Sequence, residues 1–220
     1  MLIAGIDEAG RGPAIGPMVL AVASIEKGDE ERLVEMGVTD SKLLSPAKRE
    51  AFYPQIKALC RETLSTQIAA QEIDELRERQ SLNEIEAMRI GWLLNNLHVK
   101  PDVVYVDAPD VIQENFGKRI ERYCDFSVKI VSEHKADLNY PICGAASVIA
   151  KVERDEEIKK LAKTYGEMGS GYPHDEVTIR FIKNWLQQNN KLPDFVRKSW
   201  DTNQRLLNER FQKKLHSWKG

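Results

Sequence analysis

The sequence predicts an α/β fold with a helical C-terminal extension. Short apolar runs suited to strands come early, at Leu2–Asp7 and Met18–Ile25, and later ones alternate with helical patterns. From residue 176 onward only helical patterns remain. The 220 residues allow a domain of ordinary size with a sizeable core, and 42% apolar with 30% charged residues fits neither a disordered polymer nor a membrane protein.

Leu2–Asp7 and Met18–Ile25 read as neighbouring strands joined by a Pro- and Gly-bearing turn at 10–17. Asp29–Met36 is a short helix stopped by Gly37. Ser45 offers an N-cap with Pro46 at the first helical position, opening a helix to about Cys60 that Pro54 should kink. Leu64–Ala69 suits a strand. Ser81 and Glu84 form a capping box, and Ile85, Met88 and Trp92, with Leu93 and Leu97, give the next helix an apolar stripe. Asp102–Asp107 is an apolar run of the kind buried on both faces in a parallel sheet. A helix at 111–123 and a strand at 126–132 follow. Pro141 opens a long helix to Tyr165, ended by Gly166, Gly169 and Gly171. Helices at 176–189 and 202–217 complete the chain, divided by Pro193.

The longest uncharged stretch, Gly12–Ile25, spans 14 residues and contains two prolines, too short and broken for a bilayer. Three unpaired-looking cysteines and the lack of a secretory signal pattern lead to the expectation of a cytoplasmic protein with no membrane partner. Net charge is -2, but residues 191–220 hold eight Lys or Arg against three acids. That excess fits a polyanion contact or a solvated helix face equally well.

Two strands end in acids. Ile3-Ala4-Gly5-Ile6 runs into Asp7-Glu8, and Val103-Val104-Tyr105-Val106 runs into Asp107. Strict alternation would send Asp7 and Glu8 to opposite faces, so both serve one site only if the strand ends or twists there. A fourth acid, Asp137, follows the strand at 126–132 in Glu133-His134-Lys135-Ala136-Asp137. Any one of these acids could be a solvated strand end or a cap, but ligand sites of open α/β sheets lie at strand ends. Gathered together, four carboxylates demand protonation or cations, and hard oxygen donors without Cys pairs suit magnesium or manganese. Two such ions, roughly 4 Å apart, are a known device for phosphodiester hydrolysis.

The order and spacing of several motifs then resemble ribonuclease HII in its archaeal form. They are Gly5-Ile6-Asp7-Glu8-Ala9-Gly10-Arg11-Gly12-Pro13, Asp40-Ser41-Lys42, Tyr105-Val106-Asp107 and His134-Lys135-Ala136-Asp137. Ala145-Ala146-Ser147 with Ala150-Lys151, and Gly169-Ser170-Gly171-Tyr172-Pro173, complete the set. The resemblance implies a ribonuclease H-like fold with a central five-stranded mixed sheet, as a catalytic domain over 1–175 with a helical extension over 176–220. It implies two-metal hydrolysis of the RNA strand of RNA–DNA hybrids and cleavage at ribonucleotides embedded in duplex DNA, by a monomer using Mn2+ or Mg2+. By the same resemblance Asp7, Glu8, Asp107 and Asp137 are the catalytic metal ligands. Gly10, Arg11 and Gly12 match the segment that reads the sugar–phosphate junction, Tyr172 the tyrosine that packs on the neighbouring sugar, and Lys42 and Lys151 positive positions near phosphates. Glycines suit such a loop because bare backbone can approach a 2′-hydroxyl. The chain departs from the pattern at His174, where the family often carries Ser, and at Leu43, where a second Lys is frequent. A junction resolvase with the same carboxylates, or a non-catalytic nucleic-acid module, is the alternative reading. A 2′-hydroxyl reader is wasted on pure DNA, and uncompensated acids would repel a phosphate backbone.

Overall fold

A computed structural model describes residues 1–38 and 44–217, with side chains described as far as residue 210. In chain order the strands and α-helices are β1 Leu2–Ala9, β2 Met18–Glu26, α1 Glu30–Glu35, α2 Pro46–Leu59, β3 Glu62–Ile68, α3 Ala70–Arg77, α4 Leu82–Asn96, β4 Val103–Asp107, α5 Gln113–Glu121, β5 Lys129–Glu133, α6 Ala136–Asn139, α7 Pro141–Tyr165, α8 Glu176–Asn189 and α9 Asp201–Ser217. The chain divides into two compact units. The first comprises Met1–Ala9, Val19–Gln67 and Gln80–Glu153; the second comprises Gly10–Met18, Ile68–Arg79 and Arg154–Gly220. Among the described residues, no helix is long and apolar enough to cross a membrane.

The first unit holds the five-stranded mixed sheet, in the order β3-β2-β1-β4-β5. β1 pairs antiparallel with β2 and parallel with β4, and β4 pairs parallel with β5. As the middle strand, β1 is buried along almost its whole length, which explains its run of Ile, Ala and Gly. Gly5 is required there: a Cβ would come within 2.4 Å of the Ile142 carbonyl carbon, because the start of α7 rests on the strand. Ile3, Val19, Ala21, Ala23 and Ile25 of the sheet pack against Ile142, Ala145, Val148 and Ile149 of α7.

Several details depart from the sequence-based expectation. β4 is not buried on both faces; Val104 and Val106 are buried while Val103, Tyr105 and Asp107 are half-buried, with Tyr105 stacked on Tyr140 at 4.0 Å between ring centroids. Of the expected α4 stripe, Ile85, Leu93 and Leu97 are buried, but Ala87, Ile90 and Leu94 share the buried face in place of Trp92, which is left 46% exposed. α3 has no counterpart in the expected elements. β5 starts three residues later than the strand expected at 126–132.

In the second unit Ala14, Ile15, Ile158, Met168, Ile182, Leu186, Leu192, Val196 and Leu206 form a separate core. Leu206 and partly buried Leu207 anchor α9 to it. Ile15 also bridges Val196 in antiparallel fashion, which ties the 10–18 segment to the C-terminal part of the chain.

Candidate active site

Within the first unit, the sheet brings three of the four acids into one neighbourhood. Ile6 is paired with Val106 in parallel register, so Asp7 and Asp107 follow side by side on adjacent strands about 4.8 Å apart. Alternation sends both carboxylates to the face opposite Ile6 and Val106. Asp107 accepts a hydrogen bond from the Ala136 backbone N–H at 3.1 Å, and so fixes the start of the short helix that carries Asp137. The chain enters that helix through Lys135, an L-residue in the left-handed region at φ 59°. His134 is exposed, with Nδ1 2.9 Å from the Ala108 carbonyl oxygen.

Asp7 is buried, and β1 continues past it to Ala9, so the strand does not end at Asp7. Glu8 is half-buried on the next position, yet its charge still reaches Asp7. Burial first, then the charge of Glu8 and, more weakly, that of Asp137 hold the Asp7 carboxyl well above the usual carboxylate range. Hydrogen bonds from the Ser147 side chain and the Glu8 backbone N–H, the latter at 2.8 Å, work in the opposite direction. Cys143, one turn earlier on α7, is buried and donates to the Tyr105 carbonyl at 3.3 Å. Burial and the charges of Asp7, Asp107 and Asp137 push its thiol far up, so three of the acids act on one sulfur. Among the described residues, no group of three or more His, Cys, Asp or Glu side chains is already arranged to hold a metal ion. The acids are neighbours, not a preformed cage.

Of the remaining candidates, Lys151 is half-buried on α7 in this unit, and Lys42 lies outside the described residues. Gly10, Arg11, Gly12 and Tyr172 belong to the second unit. Gly10 adopts φ 87°, and a Cβ there would meet the Pro17 carbonyl oxygen at 2.6 Å. Only glycine fits that turn. Tyr172 is half-buried, with its ring centroid 5.3 Å from the Arg154 guanidinium carbon and 5.5 Å from the His174 ring. Its loop is held by the first turn of α8. Asp175 accepts from the Ser170 N–H at 2.6 Å, the Ser170 hydroxyl at 2.7 Å and the Val177 N–H at 2.9 Å, and these bonds hold its carboxyl down at about 2. Thr178 accepts from the Gly171 N–H and donates to the Met168 carbonyl.

Two residues of this unit escape sequence reasoning. Arg154 is 2% exposed and donates to the Ser170 carbonyl at 2.9 Å. Arg197, counted in the sequence with a basic tail that faces water or phosphate, is instead fully buried. Its guanidinium donates to the carbonyls of Gly10, Arg11 and Gly16, with the Trp200 ring 4.7 Å away. Burial and the nearby Arg154 charge lower its pKa to about 9. Charge composition cannot reveal such a residue, because burying an arginine depends on the carbonyls that tertiary structure gathers around it.

The ribonuclease HII family model matches residues 4–203. The chain belongs to the ribonuclease HII family. Ribonuclease HII of Pyrococcus furiosus is 43% identical over 202 residues, covering 92% of this chain and 89% of that protein. The crystal structure of ribonuclease H2 from Pyrococcus horikoshii OT3 superposes with a TM-score of 0.91 at 40% identity, covering 96% of this chain and all of the other. The ribonuclease HII structure from Archaeoglobus fulgidus, solved in complex with PCNA, gives a TM-score of 0.84 at 39% identity over 91% of this chain and 96% of that one. Membership makes the chain an endoribonuclease of the ribonuclease H type, a hydrolase with a ribonuclease H-like fold.

Proposed function

We propose that the chain hydrolyses the RNA strand of RNA–DNA hybrids and cuts at ribonucleotides embedded in duplex DNA, leaving 5′-phosphate products. Asp7, Glu8, Asp107 and Asp137 would hold two Mn2+ or Mg2+ ions. The observation that carries this is the Asp7 carboxyl, buried and held well above its usual range with the charges of Glu8 and Asp137 beside it. Burying like charges together is costly, and a divalent cation is the partner that relieves it. The donors are carboxylate oxygens, the set that suits these hard ions. When bound, two such ions activate water and stabilise the leaving oxygen in phosphodiester hydrolysis.

The residues of the chain supply position and selectivity. Ser147 orients the Asp7 carboxylate by its hydrogen bond, and Asp107 fixes the helix carrying Asp137. The Gly10–Arg11–Gly12 backbone would read the 2′-hydroxyl, and Tyr172 would pack on the adjoining sugar. Lys151 and Lys42 would meet phosphates. A resolvase acting on pure DNA has no use for the first two, which favours the ribonuclease reading over that alternative.

The test is cleavage of end-labelled duplexes carrying zero, one or four ribonucleotides, with manganese, with magnesium and with chelator. Cutting is expected only where a ribonucleotide is present, and only with metal. Cleavage of the all-DNA duplex, or activity that survives chelation, would refute the reading.

A further inference from the structure

The segment from Arg197 to Asn203 grips the backbone of residues 10–16 almost carbonyl by carbonyl. Arg197 donates from Nη2 to Gly10, from Nη1 to Arg11 at 2.9 Å and from Nε to Gly16 at 3.1 Å. Trp200 Nε1 donates to the Gly12 carbonyl at 3.2 Å. The Arg197 backbone N–H and Asn203 Nδ2 both donate to the Ala14 carbonyl, at 3.0 and 3.1 Å, and Asn203 also ties back to the Arg197 carbonyl at 2.8 Å. The peptide bonds are trans, and a trans peptide points its N–H opposite to its C=O. Because the Gly10 and Arg11 carbonyls turn toward the buried guanidinium, the N–H groups of Arg11 and Gly12 turn away from it. A cation on the carbonyl side also polarises these peptides and makes their N–H groups better donors.

We infer that Arg197 is a positioning residue for the ribose-reading loop, aiming and polarising the Arg11 and Gly12 N–H groups, with Trp200 as its accessory. The inference rests on the proposed reading of that loop and adds a cause for its geometry. Arginine is needed for its planar fork, which serves three carbonyls at once; lysine offers a point charge on a flexible stem. Asp74 keeps the segment in place by accepting the backbone N–H groups of Lys198 and Ser199, at 2.7 and 2.9 Å.

The experiment compares wild type, Arg197→Gln, Arg197→Lys and Trp200→Phe on a duplex with one embedded ribonucleotide. The readouts are kcat and KM per folded molecule, and hydrogen exchange of a peptide spanning residues 10–16. Arg197→Gln should lower kcat by about a hundredfold while KM moves less than about threefold, since misplacement near 1 Å has that effect on rate. Arg197→Lys should stay nearly as slow, and Trp200→Phe should lose several-fold in the same direction. Exchange in residues 10–16 should quicken by about tenfold or more relative to the rest of the unit in Arg197→Gln. Full rescue by lysine, unchanged exchange, or kcat within about threefold of wild type in both Arg197→Gln and Trp200→Phe would overturn the inference. If Arg197→Gln does not fold, Trp200→Phe decides by the same two readouts. Should wild type cut the ribonucleotide-containing and all-DNA duplexes alike, the reading of the loop has failed, and the exchange result still judges the positioning role.

Discussion

Asp7 lies two residues before the end of β1, Asp107 ends β4 and Asp137 sits on a four-residue helix, with the three charges converging on the Cys143 thiol, whereas the carbonyls of Gly10, Arg11, Gly12, Ala14 and Gly16 each have a donor from the 197–203 segment. The acids are electrostatically incomplete, and the loop is over-determined. The difference follows from what each would bind. A metal ion brings its own charge and can gather carboxylates on arrival, so the protein need only place them near one another. A neutral hydroxyl brings no such field, so the backbone that reads it must be shaped beforehand.

Removing an acid breaks this contrast most severely. Asp7→Asn and Asp107→Asn should each lower kcat by on the order of a thousandfold or more, as expected for members of one catalytic assembly. Stability should move the other way. A carboxyl whose pKa is raised by folding weakens the fold as pH climbs past its unfolded value near 3.9 and on through its folded one, so the penalty of burying Asp7 has set in by pH 7. Metal-free Asp7→Asn should therefore melt no lower than wild type at pH 7, and manganese should raise the melting temperature of wild type more than that of the variant. Retention of more than roughly a tenth of the wild-type rate at saturating metal would remove these residues from a two-metal role.

Tyr172 tests the other side of the comparison. Its ring lies over the Arg154 guanidinium in a loop fixed by Ser170, Asp175 and Thr178. On the proposed reading, in which its ring packs on a sugar and orients the scissile bond, Tyr172→Ala should slow cleavage at a single ribonucleotide by about a hundredfold while binding to the duplex weakens much less. Tyr172→Phe keeps the ring and should keep most of the rate. Equal rates for Tyr, Phe and Ala on that substrate would make Tyr172 a packing residue and nothing more.

The sequence was legible where local rules and tertiary demands agree. Ser45 and Ser81 cap α2 and α4 by accepting from the N–H groups of Lys48 and Glu84, and Pro141 opens α7. The acids stood out because an apolar strand that ends in carboxylates contradicts its own pattern. α3 did not stand out: Ala-Gln-Glu-Ile-Asp-Glu-Leu-Arg has few apolar positions, and Ala69 before it makes no side-chain cap. Nor did the turn into α6, since Lys135 adopts a left-handed conformation that no residue type announces except glycine, asparagine or aspartate. Arg197 was misplaced for a deeper reason. Its environment is made by carbonyls about 180 residues away in sequence, at distances along the chain that no local pattern encodes.

The smallest expected effect sharpens the comparison through pH. Asp175 caps α8 and ties down Ser170, and its carboxyl is held at about 2, below the unfolded value near 3.9. A depressed carboxylate adds stability that is fully present above the unfolded value and is lost as pH falls through the folded one. Asp175→Asn keeps a side-chain oxygen for the Val177 N–H and gives up the charge, so its deficit should be largest above about pH 4 and should fade toward pH 2. At neutral pH the loss should lower the melting temperature by about 2–4 °C, the scale of a weakened helix cap in a chain of this size. Asp175→Ala, which also removes the cap oxygen, should lose more and keep part of its deficit in acid. Urea midpoints measured from pH 2 to pH 7 distinguish the two. A deficit in Asp175→Asn that stays constant over that range would show that the charge of Asp175 contributes nothing, and that the loop carrying Tyr172 is held by hydrogen bonds indifferent to its ionisation.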